Sequence, residues 1–480
     1  MGLHDRLKTS NGAAGSATTD IIGAPGRETA PTTAAHDPYS ELKTRIHHAC
    51  IQTLGPELFK GEARGDISER VTRAVTEQLV LDRTPLTREE RRQIIREITD
   101  DILGYGPLEP LLRDDSVTEV MVNNFDRIYV ERLGKIERTN AAFADNAHLL
   151  RIIDKIVSTI GRRIDESSPM VDARLPDGSR VNAIIPPLAL KGPTLTIRKF
   201  SRDPYTMNDL ISFGTITPKA GQFLAACVKG KLNILISGGT GTGKTTTLNA
   251  MSAFVPGDER ILTIEDAAEL QLQQEHVITL ESRPPNIEGQ GEVRIRELVK
   301  NALRMRPDRI IVGEVRGAET LDMLQAMNTG HEGSLTTIHA NSPRDALSRL
   351  ETLVLTAGVE LPLRAIREQV SSAFDLLVQI VRLVDGSRRI SHITEVLRME
   401  SETVTLQDIF VAKPPNEAQA AESRTARLLA PLTCTGLKPH FNDKLAANGV
   451  VLQPHFFATE DGAPAVGLDR QAAKFGGGYS

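Results

Sequence analysis

Gly238-Gly239-Thr240-Gly241-Thr242-Gly243-Lys244-Thr245 is the stretch on which the reading of this chain turns. It follows an apolar run, Leu232-Asn233-Ile234-Leu235-Ile236, that reads as a buried strand. It precedes Thr246-Thr247-Leu248-Asn249-Ala250-Met251, which reads as a helix. Strand, glycine-rich loop and helix are the setting of a phosphate loop, and the spacing G-x-x-x-x-G-K-[ST] is complete. The glycines let successive backbone N–H groups turn inward, and the following helix adds the positive end of its dipole. Gly238, Gly239, Thr240, Gly241, Thr242, Gly243, Lys244, Thr245 and Thr246 are the expected phosphate-binding residues. Lys244 is expected to reach the β- and γ-phosphates, and the Thr245 hydroxyl to ligate Mg²⁺.

Composition bounds what such a loop serves. At 480 residues, 40% apolar and 25% charged, the chain reads as a soluble globular protein of roughly two to four domains. Cys50, Cys227 and Cys434 have no metal-ligand spacing, and a reducing cytoplasm is the expected compartment. A net charge of −5, no tryptophan and 4% aromatics argue against a nucleic-acid track, which needs a basic channel with stacking side chains. No long uninterrupted apolar run suggests a transmembrane helix, so membrane contact is expected to be peripheral and through partners.

The expected architecture is multi-domain. Residues 1–36, rich in Ala, Gly, Thr and Ser, read as a disordered leader. Residues 37–104 read as a small helical domain, with stripes at Leu42, Ile46 and Ala49, at Val71, Val75 and Leu79, and at Ile94, Ile95, Ile98 and Ile102. Thr87 and Glu90 form a capping-box signature. Residues 105–200 read as α+β, with strands at 119–122 and 127–131 and a helix capped by Asp145. A hairpin follows around Pro176-Asp177-Gly178, then a strand at 194–200. Residues 201–220, carrying Pro204, Gly214 and Pro218, read as a linker. Residues 221–412 alternate strands and helices, the mark of a parallel α/β sheet, with a hairpin of 375–384 and 389–399 expected at its edge. Residues 413–480 read as a partly disordered C-terminal extension.

ATP hydrolysis needs a metal on the phosphates, a polarised water and positive charge for the transferring group. Glu265 and Glu314 each end a strand of the α/β stretch and are the candidate acids, Glu314 also as a metal ligand. Which of them activates water stays open at this level. Gly313 stands where P-loop enzymes usually carry an aspartate. His331 and His339 flank another strand as candidate phosphate sensors. His339 is the better placed, because ligands gather at the carboxyl ends of parallel strands. Arg180 and Arg198 share the polar face of the middle domain and are candidates for arginines supplied to the nucleotide from a separate domain.

Four blocks then carry a resemblance: the loop at 238–245, Thr263-Ile264-Glu265-Asp266, Ile311-Val312-Gly313-Glu314-Val315-Arg316-Gly317, and Thr329 to Ser334 with Thr336-Thr337-Ile338-His339-Ala340. In this order and spacing they resemble the Walker A, Asp box, Walker B and His box of the type II/IV secretion, or traffic, ATPases. Gly104-Tyr105-Gly106-Pro107-Leu108-Glu109 and Cys434-Thr435-Gly436-Leu437-Lys438-Pro439 resemble the CpaF type, the assembly ATPases of tight-adherence pili. The resemblance implies a RecA-like P-loop domain behind an α+β middle domain and a homohexamer. It also implies ATP with Mg²⁺ between the two domains, Arg180 and Arg198 facing the nucleotide, and docking on inner-membrane platform proteins. A nucleic-acid motor and a non-hydrolysing nucleotide-gated scaffold are the alternatives. Whether such a motor extends or retracts a filament is not written in these residues.

Overall fold

The computed structural model describes residues 39–58, 64–82, 84–132, 134–200, 204–285, 289–412 and 431–459. The expected leader at 1–36 lies outside the described residues, as do 413–430 and 460–480 of the expected C-terminal extension. The chain forms two compact units that divide between Leu103 and Gly104.

The first unit contains three helices, Ser40–Leu58 (α1), Arg64–Asp82 (α2) and Arg88–Leu103 (α3). Apolar residues three or four apart share a helix face, so Leu42, Ile46, Cys50 and Leu54 meet Val71, Val75, Leu79, Ile94 and Ile98 in one core. The Thr87 hydroxyl accepts from the Glu90 backbone N–H, and Glu90 accepts from that of Thr87, which fixes where α3 begins.

The second unit opens with a short helix, Glu109–Arg113 (α4), and an antiparallel sheet. Its elements are Val117–Asn124 (β1), Arg127–Arg132 (β2), Lys135–Arg138 (β3), Asn146–Thr159 (α5), Met170–Arg174 (β4), Arg180–Ile184 (β5) and Thr194–Arg198 (β6). The strand order is β3-β2-β1-β6-β5-β4. Val120, Val122, Ile128, Val130, Val181, Ala183, Leu195 and Ile197 face one side and bury the apolar stripe of α5, Leu149 to Val157. Alternation sends the intervening charged residues to the other face.

The P-loop domain follows: Met207–Ser212 (α6), Pro218–Lys229 (α7), Ile234–Gly238 (β7), Lys244–Ser252 (α8), Ile261–Glu265 (β8) and Val277–Glu281 (β9). Then come Ile295–Ala302 (α9), Arg309–Val312 (β10), Glu319–Asn328 (α10), Leu335–Ile338 (β11), Pro343–Leu355 (α11) and Leu363–Ala373 (α12). Leu376–Arg382 (β12), Arg388–Glu400 (β13), Thr403–Val411 (β14), Thr433–Cys434 (β15) and Asn442–Ala447 (α13) complete it. The sheet order is β15-β14-β13-β12-β7-β11-β10-β8-β9, parallel from β12 to β9 and antiparallel from β12 to β15. Strands β7, β8, β10 and β11 are buried at every position, as helices on both faces require.

Three expectations change here. The hairpin of β12 and β13 is not at the edge, since β12 pairs in parallel with the P-loop strand β7. The run Leu376-Leu377-Val378-Gln379-Ile380 is buried throughout, which suits a central strand. Within 201–220, α6 carries a capping box from Thr206 and Asp209. Met207, Leu210 and Ile216 enter the core, so this part is packed structure, not a bare connection. The described part of the C-terminal stretch belongs to the same core. Leu432, Cys434, Phe441, Leu445 and Phe457 are buried with Phe223 and Phe410, and the buried Glu395 carboxylate accepts the backbone N–H groups of His440 and Phe441.

Candidate functional site

The carboxyl ends of β7, β8, β10 and β11 form one edge of the parallel sheet, and the quoted blocks converge there. Gly243 sits at φ +94°, a left-handed turn that ends the loop and starts α8 at Lys244. The Lys244 ammonium donates to the Gly239 carbonyl at 3.1 Å and lies 3.9 Å from the Glu314 carboxylate. Burial pulls its pKa down, and Glu314 opposes that shift.

On the acid side, Glu314 is bracketed by cations. The Arg316 guanidinium donates to its Oε2 at 2.8 and 2.5 Å and approaches Asp266 at 3.6 Å. Glu265 behaves differently. Only 4% exposed, it accepts the backbone N–H groups of Glu269 and Leu270. Burial pushes its carboxyl up to about 7, against those two hydrogen bonds. It also explains the missing aspartate: a Cβ at Gly313 would stand 2.7 Å from Glu265 Cγ. The Glu265 stem fills the place that a side chain at 313 would use.

The middle domain meets this edge with a single line of side chains. Register places Arg174 opposite Arg180, Arg180 opposite Arg198, Arg198 opposite Glu119, and Glu119 opposite Glu131. Paired residues share a face, so three arginines and two glutamates run in order across β4, β5, β6, β1 and β2. Arg180 pairs with Glu269 at 3.1 Å and donates to the Ala267 carbonyl at 2.5 Å. Arg198 lies 3.9 Å from the same Glu269, and Arg174 pairs with Glu281 at 2.9 Å. Glu269 thus ties the middle-domain arginines to the loop that the buried Glu265 organises.

Among the site residues named from sequence, the loop, Glu265, Glu314, Arg180 and Arg198 are brought to this edge. His339, half-buried, follows β11 at the same edge. His331 is not brought there. It precedes β11, at the amino end of the sheet, and its ring Nδ1 lies 3.3 Å from the Ala326 carbonyl. The turn at Glu332-Gly333 and the whole of β11 separate it from His339, so the two histidines fall at opposite ends of the strand. Sequence reasoning passed over Arg174, Glu269, Arg316, Arg382 and Arg388. Arg316 was inside a quoted block, and Arg174 follows from the Pro-Asp-Gly hairpin register. No local signal marks the other three.

Among the described residues no cluster of three or more His, Cys, Asp or Glu side chains could hold a metal alone. Mg²⁺ asks for less, one or two protein oxygens with phosphates and water completing its shell. The Thr245 hydroxyl and the Glu314 carboxylate are oxygen donors of that kind, and Gly313 adds none, so the residues present fit Mg²⁺ carried in with a nucleotide.

The sequence profile described as "Type II/IV secretion system protein" matches residues 101–435. The chain belongs to that family. This family member is 39% identical over 312 residues to a Mycobacterium tuberculosis protein named for conjugal transfer, covering 64% of this chain and 88% of that one. It is 34% identical over 312 residues to the conjugal transfer protein TrbB of Rhizobium radiobacter, covering 64% and 91%. The crystal structure of the VirB11 ATPase from the Brucella suis type IV secretion system is 31% identical and covers 60% of this chain and 92% of that chain, with a TM-score of 0.34. The family assignment rests on the sequence match and agrees with the α/β P-loop domain and helical amino-terminal unit. The constellation around Lys244 is that of an ATP hydrolase.

Proposed function

We propose that the chain is the ATP-hydrolysing motor of a tight-adherence pilus. It works as a homohexamer against inner-membrane platform proteins at the cytoplasmic face, with peripheral membrane association only. The observation that carries hydrolysis is Lys244 held 3.9 Å from Glu314, with the middle-domain arginines reaching the neighbouring Glu269 loop. The pilus follows from the resemblance of the 104–109 and 434–439 blocks. No helix among the described residues is long and apolar enough to cross a membrane, which is compatible with attachment through partners.

In this reading the loop N–H groups and Lys244 hold the phosphates of ATP. Thr245 and Glu314 would hold Mg²⁺, which would supply charge neutralisation at the phosphates. Glu314 polarises the attacking water and takes its proton as the bond to the γ-phosphorus forms and the ADP oxygen leaves. Glu265, enclosed by the Glu269 and Leu270 N–H groups, shapes the loop that presents Glu269. Arg180 and Arg198 supply positive charge to the transferring group, and closure of their domain on the loop is the working stroke. His339 senses the γ-phosphate from the end of β11.

Steady-state ATPase assays on Lys244→Ala and Glu314→Gln test the reading. Both variants are expected to lose turnover, Lys244→Ala with weakened nucleotide binding and Glu314→Gln with binding retained. Wild-type turnover by Glu314→Gln sinks the assignment of the acid. ATP binding without hydrolysis by the wild-type chain makes it a nucleotide-gated scaffold. Sedimentation of the full chain with and without ATP checks the hexamer.

A further inference from the structure

Two unfavourable pairs face each other at the far end of the charged line. Glu119 and Glu131 are directly opposed on β1 and β2, and Arg382 and Arg388 are directly opposed on β12 and β13. Like charges in such positions repel, so each pair is a local conflict within its own sheet. Burial raises the Glu119 carboxyl; Arg198 pulls it back and Glu131 adds to the rise. The two conflicts meet across the domain boundary, where Arg388 lies 3.7 Å from Glu131.

The same arginines also touch the phosphate loop. The Arg388 Nε donates to the Gly241 carbonyl at 3.3 Å. Arg382 donates to the Gly134 carbonyl, in the turn between β2 and β3, at 2.5 Å. Its other terminal nitrogen stands 3.2 Å from where a Cβ at Gly241 would lie. Gly241 itself has φ +67°, so the loop makes its left-handed turn at the point where these side chains press on it. The hairpin that carries them is fixed by β12 beside β7.

We propose that Arg382 and Arg388 are positioning residues. They clasp the Gly241 carbonyl of the phosphate loop to the Glu131–Gly134 segment of the middle domain, so that loop geometry and domain attachment are set together. A carbonyl held from outside keeps the neighbouring loop N–H groups turned toward the phosphates. Both arginines lie outside the four motif blocks, although the carbonyl they hold is within the first, and they sit on the opposite flank from the Arg180–Glu269 contact. The Arg388–Glu131 pair is partly exposed and contributes little by itself, so its value is geometric.

The proposal rests on the chain being an ATPase. Its kinetic test compares Arg388→Ala, Glu131→Gln and the double variant in the full chain, with kcat and KM for ATP measured separately. Each single change is expected to lower kcat roughly tenfold while KM moves by less than about twofold. The double variant is expected to be no worse than the poorer single one. Unchanged kcat, equal losses in kcat and 1/KM, or strictly additive effects overturn the clasp. Hydrogen exchange at 131–135 and 238–243 reads it without turnover. Both segments are expected to exchange faster together in Arg388→Ala and in Arg382→Ala. Loosening of one segment alone overturns the proposal. A wild-type chain that shows no hydrolysis but keeps this coupled protection removes the ATPase reading and leaves the clasp standing. If Arg388→Ala does not fold, the near-isosteric change Glu131→Gln at the partly buried partner carries the same comparison.

Discussion

The middle domain touches the P-loop domain at two ends of one register line, and the ends are built oppositely. At the arginine end, Arg174, Arg180 and Arg198 face two carboxylates, Glu281 and Glu269. At the acid end, Glu131 meets Arg388, which also holds the loop carbonyl of Gly241. At the arginine end one carboxylate, Glu269, is shared by two arginines, and this end lies beside the strand ends that carry Glu265 and Glu314. The acid end has its one close pair fastened to the loop backbone. Each ion pair is partly exposed and worth no more than about 1 kcal/mol, so neither end is a rigid lock. In the proposed function, the arginine end would release a cation to a phosphate while the acid end kept the domain attached.

The largest expected effect breaks the arginine end. Arg180→Ala should lower kcat by roughly a hundredfold or more with nucleotide affinity nearly kept, as loss of a transition-state charge predicts. Equal losses in hydrolysis and in binding, measured with a fluorescent ATP analogue, would make Arg180 structural. Next, Glu269→Gln removes the carboxylate shared by Arg180 and Arg198 and leaves Arg180 its contact with the Ala267 carbonyl. A loss of roughly tenfold in kcat is expected, and a rate above wild type would mean that Glu269 restrains the arginines instead of aiming them.

A smaller effect is expected behind the arginine end, where Glu265 leaves no room at 313. Gly313→Ala should cost about 1–3 kcal/mol in chemical denaturation, because the new Cβ would meet Glu265 Cγ at 2.7 Å. The combination with Glu265→Ala should recover part of that loss; full additivity would deny the contact. The smallest is a pH dependence. The Glu265 carboxyl is raised from its ordinary 4.5 to about 7, so the folded chain binds a proton that the unfolded chain has lost between those values. Stability from this group is therefore complete below about 4.5 and declines as pH rises to about 7, a cost of at most about 3 kcal/mol. Glu265→Gln should raise the melting temperature at pH 8 relative to wild type, with the gain shrinking toward pH 5. An equal shift at both values would mean that the carboxyl is not perturbed.

Much of this protein is legible locally. The phosphate loop is a backbone device with fixed spacing, so residues 238–245 name it wherever they occur. The stripes of α1 to α3 and α5 and the Pro176-Asp177-Gly178 turn follow from periods of 3.6 and 2. Glu265 and Glu314 could be placed at strand ends because their strands are continuous apolar runs. The hairpin of β12 and β13 was readable as a hairpin but not as the neighbour of β7, since parallel pairing leaves no mark on the turn that follows it. Residues 413–480 read as a partly disordered extension because Pro and Ala accumulate beyond about 412, with 436–457 the more ordered part, and Phe441 and Phe457 in fact close the core around Phe223.

Sequence alone determined the motifs: the spacing of the phosphate loop, which acids end strands, and which family the blocks belong to. Tertiary structure alone decided which partners the middle-domain arginines meet. Arg180 and Arg198 align with Glu119 and Glu131 only because β6 returns to pair with β1, a register set by long-range packing. Arg382 and Arg388 reach the phosphate loop only because β12 lies beside β7. Cross-strand register and sheet order are not encoded by any short window of residues, because they depend on which distant strands bury their faces together.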